Sequence, residues 1–502
     1  MNTRQPGHTP EFLSTNLKEN LKTFSLLLND PSDLTTKVLQ VGGSTYTSAI
    51  VSLEGLSDPL LIKEQIIQPI QHNQELSQES MMNTHMMLHE IENRMISPQI
   101  TNRTRRWDEV IPVILSGDTV LMLEGTDEVL LIKSRKWPAR SIEEPQTEAL
   151  VRGPRVGFTE SIYTNISLLR RHIREPNLTI EPHTIGRRSN QSLAVVYMKG
   201  LTNPDLIKEV NRRLKSLDLD YAPESGTVEQ WIEDSFLSPF PQILNTERPD
   251  KVTSALLQGK VAILLDGTPF ALLLPFTFVS LLHSPEDYYE RWSIGSLIRL
   301  LRLAAIGITL FLPALYIAIL SFHPGMIPFK LVFSIAASRE GVPFPAVIEA
   351  LLMEVTLELL REAGIRLPKP IGQTIGIVGG LVIGEAAVQA GIVSPIMVII
   401  VALTAISSFA IPSYSAGISF RMLRFAIMIA ASFLGLYGIV LTFIMICIHL
   451  MRLHSFGIPY LSPVAPSVQH DWKDMFIRVP VTWLTRRPLF MKPQDIHRAK
   501  KR

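Results

Sequence analysis

The sequence predicts an α+β membrane protein: two tandem α/β cytoplasmic subdomains followed by an α-helical polytopic membrane domain. Three observations lead there: an ordered set of motifs that occurs twice in the first half, long uncharged apolar runs in the second, and basic residues gathered at the ends of those runs. A hydrophobic share of 46% over 502 residues is high for a wholly soluble chain and favours the membrane part of this reading.

The repeat carries the soluble half. Ala49-Ile-Val-Ser-Leu-Glu-Gly55-Leu-Ser-Asp-Pro59-Leu-Leu-Ile-Lys-Glu64 aligns without a gap on Ala194-Val-Val-Tyr-Met-Lys-Gly200-Leu-Thr-Asn-Pro204-Asp-Leu-Ile-Lys-Glu209, an offset of 145 positions (194 minus 49). Pro31 and Pro176 stand at that same offset upstream, and Gly117 and Gly125 are echoed by Gly259 and Gly267 downstream. Each copy reads as a strand, a Gly-Leu-x-x-Pro turn, and a helix with proline at its first turn, where the missing N–H is harmless. The runs Val120 to Leu123 and Ala262 to Leu265 read as buried strands closed by tight turns. Residues 1–27 are expected to be a polar extension, 28–148 the first subdomain and 149–290 the second. The stretch Gln65 to Arg106, rich in Gln, Asn, Met and His, reads as an amphipathic helical insertion. Residues 1–30 contain no apolar core of a secretory signal, so this half is expected in the cytoplasm.

Residues 291–452 are expected to form the membrane domain, with 453–502 as a basic cytoplasmic tail. Leu303 to Phe329, Ala386 to Phe420 and Phe425 to Leu450 contain no Asp, Glu, Lys or Arg, and a bilayer core of about 30 Å needs about 20 such residues. Arg291, Arg299 and Arg302 precede the first run, and Arg452, Lys473, Arg478, Arg486 and Arg487 follow the last, so both ends are expected inside and the number of crossings even. Five stretches compete: Leu303 to Phe322, Ala346 to Leu360, Ile371 to Gln389, Ile396 to Ile411 and Phe425 to Leu450. Four crossings are preferred. The second stretch is set aside as an interfacial or cavity-lining helix because Glu349, Glu354 and Glu358 would be costly against lipid. A re-entrant fourth stretch is the alternative. Arg421 and Arg424 would then lie outside, a cost of this topology.

Two constellations in this domain carry candidate chemistry. Glu354, Glu358 and Glu362 recur every four residues, so their carboxylates stack along one helix face. In a ring of subunits they become carboxylate rings that favour cations, with Leu351 and Val355 beside them as pore or cavity lining. The alternative is an amphipathic interfacial helix with an acidic solvated face and Leu352, Val355 and Leu359 opposite. Gly372, Gly376, Gly380 and Gly384, also four apart, form a small-residue stripe suited to close helix packing or, in the second reading, to a backbone-lined path. Glu385 and Gln389 on the same helix are intramembrane polar candidates.

Other chemistries lack their residues. Cys447 is the single cysteine, so no disulfide or CxxC site forms within one chain. No P-loop, dinucleotide fingerprint, HExxH or nucleophile elbow is present and the histidines are scattered; no enzyme activity, metal or cofactor is expected. A net charge of +2 argues against a nucleic-acid surface. Arg152, Arg155, Arg170, Arg171, Arg174, Arg187 and Arg188 read as a solvated or lipid-facing basic surface, or alternatively as an anion site.

Six motifs resemble one family. Val151-Arg-Gly-Pro-Arg-Val-Gly-Phe-Thr-Glu160, Pro239-Phe-Pro-Gln-Ile-Leu-Asn-Thr-Glu-Arg-Pro-Asp250, Leu265-Asp-Gly-Thr-Pro269, Ser334-Ile-Ala-Ala-Ser-Arg-Glu-Gly-Val-Pro-Phe-Pro345, Arg366-Leu-Pro-Lys-Pro-Ile-Gly-Gln373 and Phe456-Gly-Ile-Pro-Tyr-Leu-Ser-Pro463 closely resemble the A subunit of GerA-type spore germinant receptors. The resemblance covers residues 25 to 490. It implies a multi-pass protein of the spore inner membrane, self-assembled into a ring that forms a nutrient-gated channel for ion release. It also implies a transporter-like B subunit that senses the nutrient, a C-subunit lipoprotein, and cytoplasmic soluble ends. A non-conducting scaffold that relays a signal for the B subunit is the second hypothesis. A transporter is disfavoured, since the membrane segments are not repeated with inverted topology.

Overall fold

The computed structural model describes residues 10–42, 45–72, 83–96, 100–136, 144–145, 147–148, 150–367, 379–380 and 382–499. Two compact units emerge: residues 1–232, 243–275 and 491–496 form one, and 233–242, 276–490 and 497–502 the other.

The first unit contains two five-stranded sheets of one design. β1 (Leu34–Gln40), β2 (Thr47–Leu53), β3 (Ile100–Thr104), β4 (Thr119–Leu123) and β5 (Val129–Ile132) lie in the order β1-β2-β4-β5-β3. β6 (Leu178–Ile185), β7 (Gln191–Met198), β8 (Leu244–Thr246), β9 (Val261–Leu265) and β10 (Ala271–Leu274) lie in the matching order β6-β7-β9-β10-β8. All neighbours pair antiparallel. β4 and β9 are buried at every residue, as unalternating apolar runs require. Gly117, Gly125, Gly259 and Gly267 bracket them with φ of +93°, +87°, +89° and +91°, a region that other residues rarely adopt.

Helices cover both faces of the first sheet. α1 (Leu17–Leu27) and α5 (Trp107–Leu115) share a core in which Phe24 meets Trp107 edge-on at 4.9 Å. The opposite face is covered by residues 59–72 and 83–96, which include α2 (Pro59–Leu61), α3 (Gln68–His72) and α4 (Thr84–Glu90). In the second sheet, α6 (Ile162–His172) and α9 (Pro249–Leu256) build the core. α7 (Pro204–Lys215) opens on Pro204 behind an Asn203 cap, just as α2 opens on Pro59 behind Asp58. α8 (Ser225–Ile232) follows.

Two expectations fail here. The polar extension of 1–27 contains α1, capped by Asn16, whose Leu17 and Phe24 recur at helical spacing and are buried. Within the supposed helical insertion, Ile100–Thr104 is instead the edge strand β3, the counterpart of β8.

The correspondence reaches single hydrogen bonds. Asn20 accepts from the Ser14 amide at 2.8 Å and donates to its carbonyl at 2.6 Å; Asn165 makes the same pair with Thr159, at 2.8 and 2.6 Å. Glu124 accepts from the first amide of α1 at 2.9 Å, and Asp266 from that of α6 at 3.0 Å. Arg170, expected on a basic surface, is buried and grips Asp33 with two bonds of 3.0 and 2.9 Å. Arg187 pairs with Asp218.

The second unit is helical. After α10 (Glu286–Tyr289) come α11 (Trp292–Phe322), α12 (Phe329–Arg339), α13 (Ala346–Arg366), α14 (residues 382–389), α15 (Pro395–Phe409), α16 (Tyr414–Leu434) and α17 (Leu436–Arg452). α11 and α16 are long and apolar enough to cross a membrane, with mean hydropathy of 2.4 and 1.5; α15 and α17 are shorter apolar helices. The run Phe425 to Leu450, expected as one span, is two helices folded at Gly435. That glycine has φ +60°, and a Cβ there would lie 3.0 Å from Phe322 at the end of α11. The fold reverses the expected placement of Arg421 and Arg424. They sit in the first half of α16, toward the end where Ser419 of α16 and His449 of α17 both meet residues 238–239. Arg421 and Arg424 are therefore on the side of Arg452, not the opposite one.

Residues 453–490, expected as a basic tail, pack at that same end. Tyr460 is fully buried, its OH donating to the Pro241 carbonyl at 2.8 Å, and Ser455 donates to the Gln242 carbonyl at 2.7 Å. Two of the six motifs, Pro239 to Asp250 and Phe456 to Pro463, thus touch one another.

Candidate functional site

α13 carries the acidic residues, and α16 supplies their counter-charges. Arg424 and Glu354 are both buried and 2.6 Å apart, although the Glu354 oxygens lie off the N–H directions and form no aligned hydrogen bond. One turn along, Glu358 faces two guanidinium groups: Arg421 Nε at 3.3 Å and Arg361 Nη1 at 3.4 Å. Arg361 also reaches Ser408 Oγ of α15 at 3.2 Å and lies over the Phe409 ring. Rising numbers on α16 pair with falling numbers on α13, so these helices are antiparallel. At the far end of α13, Glu349 is buried, 2.7 Å from Arg339 and accepting from the Ser394 amide at 2.8 Å. The cluster ties α12, α13 and α16 together by ion pairs and holds α15 to them by hydrogen bonds from Ser394 and to Ser408. Buried ions in an apolar bundle are tolerated only when paired in this way.

The acidic stripe therefore splits. Glu354 faces the interior of the unit, whereas Val355, Glu358 and Glu362 are 48%, 40% and 59% exposed, with Leu351 half-buried on the same face. At 100° per residue, 351, 355, 358 and 362 fall within one narrow stripe, and 354 lies outside it. Glu362 pairs with Arg366 at 2.6 Å on the surface. The apolar face of Leu352, Val355 and Leu359 is exposed as well.

Of the glycine row, Gly372 and Gly376 lie outside the described residues. Gly384 is buried, and a Cβ there would sit 3.5 Å from Val398 of α15, an ordinary contact. Around Gly380 the space is open. Glu385 and Gln389 are exposed on α14 and bond to each other at 3.1 Å. Among the described residues, no group of three His, Cys, Asp or Glu is placed to hold a metal ion.

A second charge cluster, missed in the sequence, locks the start of α11. Asp287 is buried and accepts from Arg299 Nε at 2.9 Å and Arg302 Nη1 at 2.8 Å, while Arg299 also bonds Asp474 at 2.8 Å. Tyr288 OH donates to Asp474 at 2.6 Å, and Arg478 bonds the Glu290 carbonyl at 2.8 Å. His283, 3.2 Å from the Met475 carbonyl, is held neutral by burial and by Arg299, its pKa lowered to about 4. The signal available beforehand was weak. Arg299 and Arg302 are three apart at a membrane-helix start, a pattern that equally suits headgroup contact.

Apolar helices laced by buried ion pairs, two of them long and apolar enough to cross a membrane, are joined in one chain to a large antiparallel α/β module. The family model described as Bacillus/Clostridium GerA spore germination protein matches residues 22–490, and the chain belongs to that family. It is 47% identical to spore germination protein GerLA of Bacillus cereus over 96% of this chain and 97% of that one. A membrane protein of Bacillus subtilis (strain 168), YfkQ, is 43% identical over 95% of this chain and 91% of its own length. The crystal structure of the N-terminal domain of the A subunit of the Bacillus megaterium spore germinant receptor GerK3 matches with a TM-score of 0.43 and 32% identity, covering 53% of this chain and 97% of that one.

Proposed function

We propose that this protein is the A subunit of a nutrient-responsive germination receptor, self-assembled into a ring that forms a ligand-gated cation-release channel in the spore inner membrane. The nutrient is sensed by a transporter-like B subunit, and a C-subunit lipoprotein completes the receptor. The first unit is read as two tandem copies of one α/β subdomain on the cytoplasmic side. α11, α13, α15, α16 and α17, with residues 371–389 taken as a further span on the apolar character of their sequence alone, are read as six alternating passes. This count keeps both ends inside and brings Arg421 and Arg424 to the basic side, which four passes did not.

One observation carries the channel reading. The stripe Leu351, Val355, Glu358 and Glu362 leaves the helical unit exposed, mixing apolar and acidic side chains in a way that neither lipid nor water alone suits. Copies around an axis would turn it into stacked rings, with Glu354 withdrawn from the path and Arg424 holding it. The two arginines that neutralise Glu358 favour the second reading, a non-conducting scaffold. Spores made without this chain, exposed to a panel of nutrient mixtures, test the common part. The expected result is loss of cation release to at least one mixture, restored by returning the gene; release unchanged across the panel refutes it.

A further inference from the structure

Between α8 and β8 the chain leaves the sheets, and residues 233–242 belong to the helical unit. Ser238 Oγ lies 2.8 Å from His449 Nε2 in the last turn of α17, and Ser419 Oγ of α16 donates to the Pro239 carbonyl. Phe240 is buried, stacked on His449 at 6.2 Å and edge-on to Phe420 at 6.0 Å. Gln242 closes the loop on itself, accepting from the Ser235 amide at 2.9 Å and donating to its carbonyl at 2.7 Å. The result is a short, fully tied loop fixed to the common end of two apolar helices. At its tip Phe236 and Leu237 are 80% and 81% exposed.

A loop built this firmly to hold two large apolar side chains away from its own unit needs an apolar environment for them. α17 indicates which one. Its outer surface exposes Val440, Ile444, Met445, Ile448 and Met451 down to Arg452, the length that acyl chains cover when such a helix is in a bilayer. Ser238 touches the last turn of that helix, so the tip lies where acyl chains give way to headgroups, and Arg452 stands ready for phosphate.

We infer that Phe236 and Leu237 form a membrane-dipping finger, inserted into the headgroup–acyl boundary beside α17. The inference rests on the reading of these helices as membrane passes. It ties the connection between α8 and β8 to the lipid surface, through the same segment that bonds the ends of α16 and α17.

The full-length chain with Cys447→Ser, labelled with an environment-sensitive fluorophore at Leu237→Cys, Ile444→Cys or Val151→Cys, provides the test. Each is reconstituted in phosphatidylethanolamine–phosphatidylglycerol vesicles containing doxyl-labelled phosphatidylcholine, with aqueous iodide as the opposing quencher. Doxyl quenching at Leu237→Cys should be at least about three-fold that at the exposed Val151→Cys, with iodide quenching reduced in proportion. Phe236→Cys serves in the same role if Leu237→Cys does not reconstitute. A tip probe quenched by iodide as readily as Val151→Cys overturns the finger, and so does one shielded from both quenchers, which would be covered by protein. Ile444→Cys separates the two failures. If it is quenched by doxyl lipid and the tip is not, only the finger falls; if it is not, the membrane passes fall with it.

Discussion

Replacing Arg424 by leucine removes the cation that lies 2.6 Å from the buried Glu354 carboxylate. Glu354 has no aligned hydrogen bond to fall back on, and its next cations, Arg421 and Arg361, are engaged by Glu358. Removing one partner of a buried pair costs about 3–5 kcal/mol, because the remaining charge stays desolvated. For a helical unit of this size that corresponds to a fall in Tm of about 6–20 °C. The partner change Glu354→Gln together with Arg424→Leu takes away both charges and should recover most of the loss, since a buried pair is worth little against an uncharged replacement. Thermal unfolding of the detergent-solubilised full chain, followed by helical circular dichroism, reads both. If Arg424→Leu melts within about 2 °C of the parent, Glu354 is not a desolvated carboxylate dependent on α16, and the interhelical pair is wrong.

Two further outcomes follow from other contacts. Asn20→Ala and Asn165→Ala each strip two hydrogen bonds from a buried, symmetry-related turn and should each cost about 1–3 kcal/mol, seen as faster amide exchange in peptides spanning Ser14 and Thr159 respectively; protection lost in one copy alone would argue against equivalent subdomains. His283 has a folded pKa of about 4, below its unfolded value of about 6.5, so the unfolded chain takes up the proton first and stability should drop as pH falls from about 6.5 to about 4, by on the order of 1–3 kcal/mol. His283→Gln should flatten that part of the stability profile, and a profile unchanged by the substitution would contradict the assignment.

The sheets were legible in the sequence because their strongest constraints are local. A glycine forced to positive φ, or a proline at the first turn of a helix, announces itself at a fixed place, and four such places in one order revealed the repeat. α1 was set within the polar extension because Leu17, Phe24 and Leu28 are diluted by Lys and Glu. The helical unit was harder for a different reason. Gly435 breaks an unbroken apolar run, and hydropathy cannot distinguish one long helix from two that fold back at a residue free to take φ +60°. That single break moved Arg421 and Arg424 to the other side. Of the acidic stripe, the spacing of Glu354, Glu358 and Glu362 placed all three on one face, whereas Glu354 turns inward, and it said nothing of their partners. Which carboxylate is buried depends on Arg421 and Arg424, more than sixty residues on, and pairing at that distance has no periodicity to read.

Ionic selectivity tests the channel account most directly. The purified A subunit is fused into a planar bilayer under a KCl gradient, and the reversal potential is compared between the parent and Glu358→Gln with Glu362→Gln, both on the exposed stripe of α13. The account predicts a conductance whose reversal potential lies toward that of potassium and shifts toward zero when the two carboxylates are neutralised, with assembly unchanged. A correctly assembled subunit that conducts nothing, or a reversal potential that the two substitutions leave in place, would contradict it.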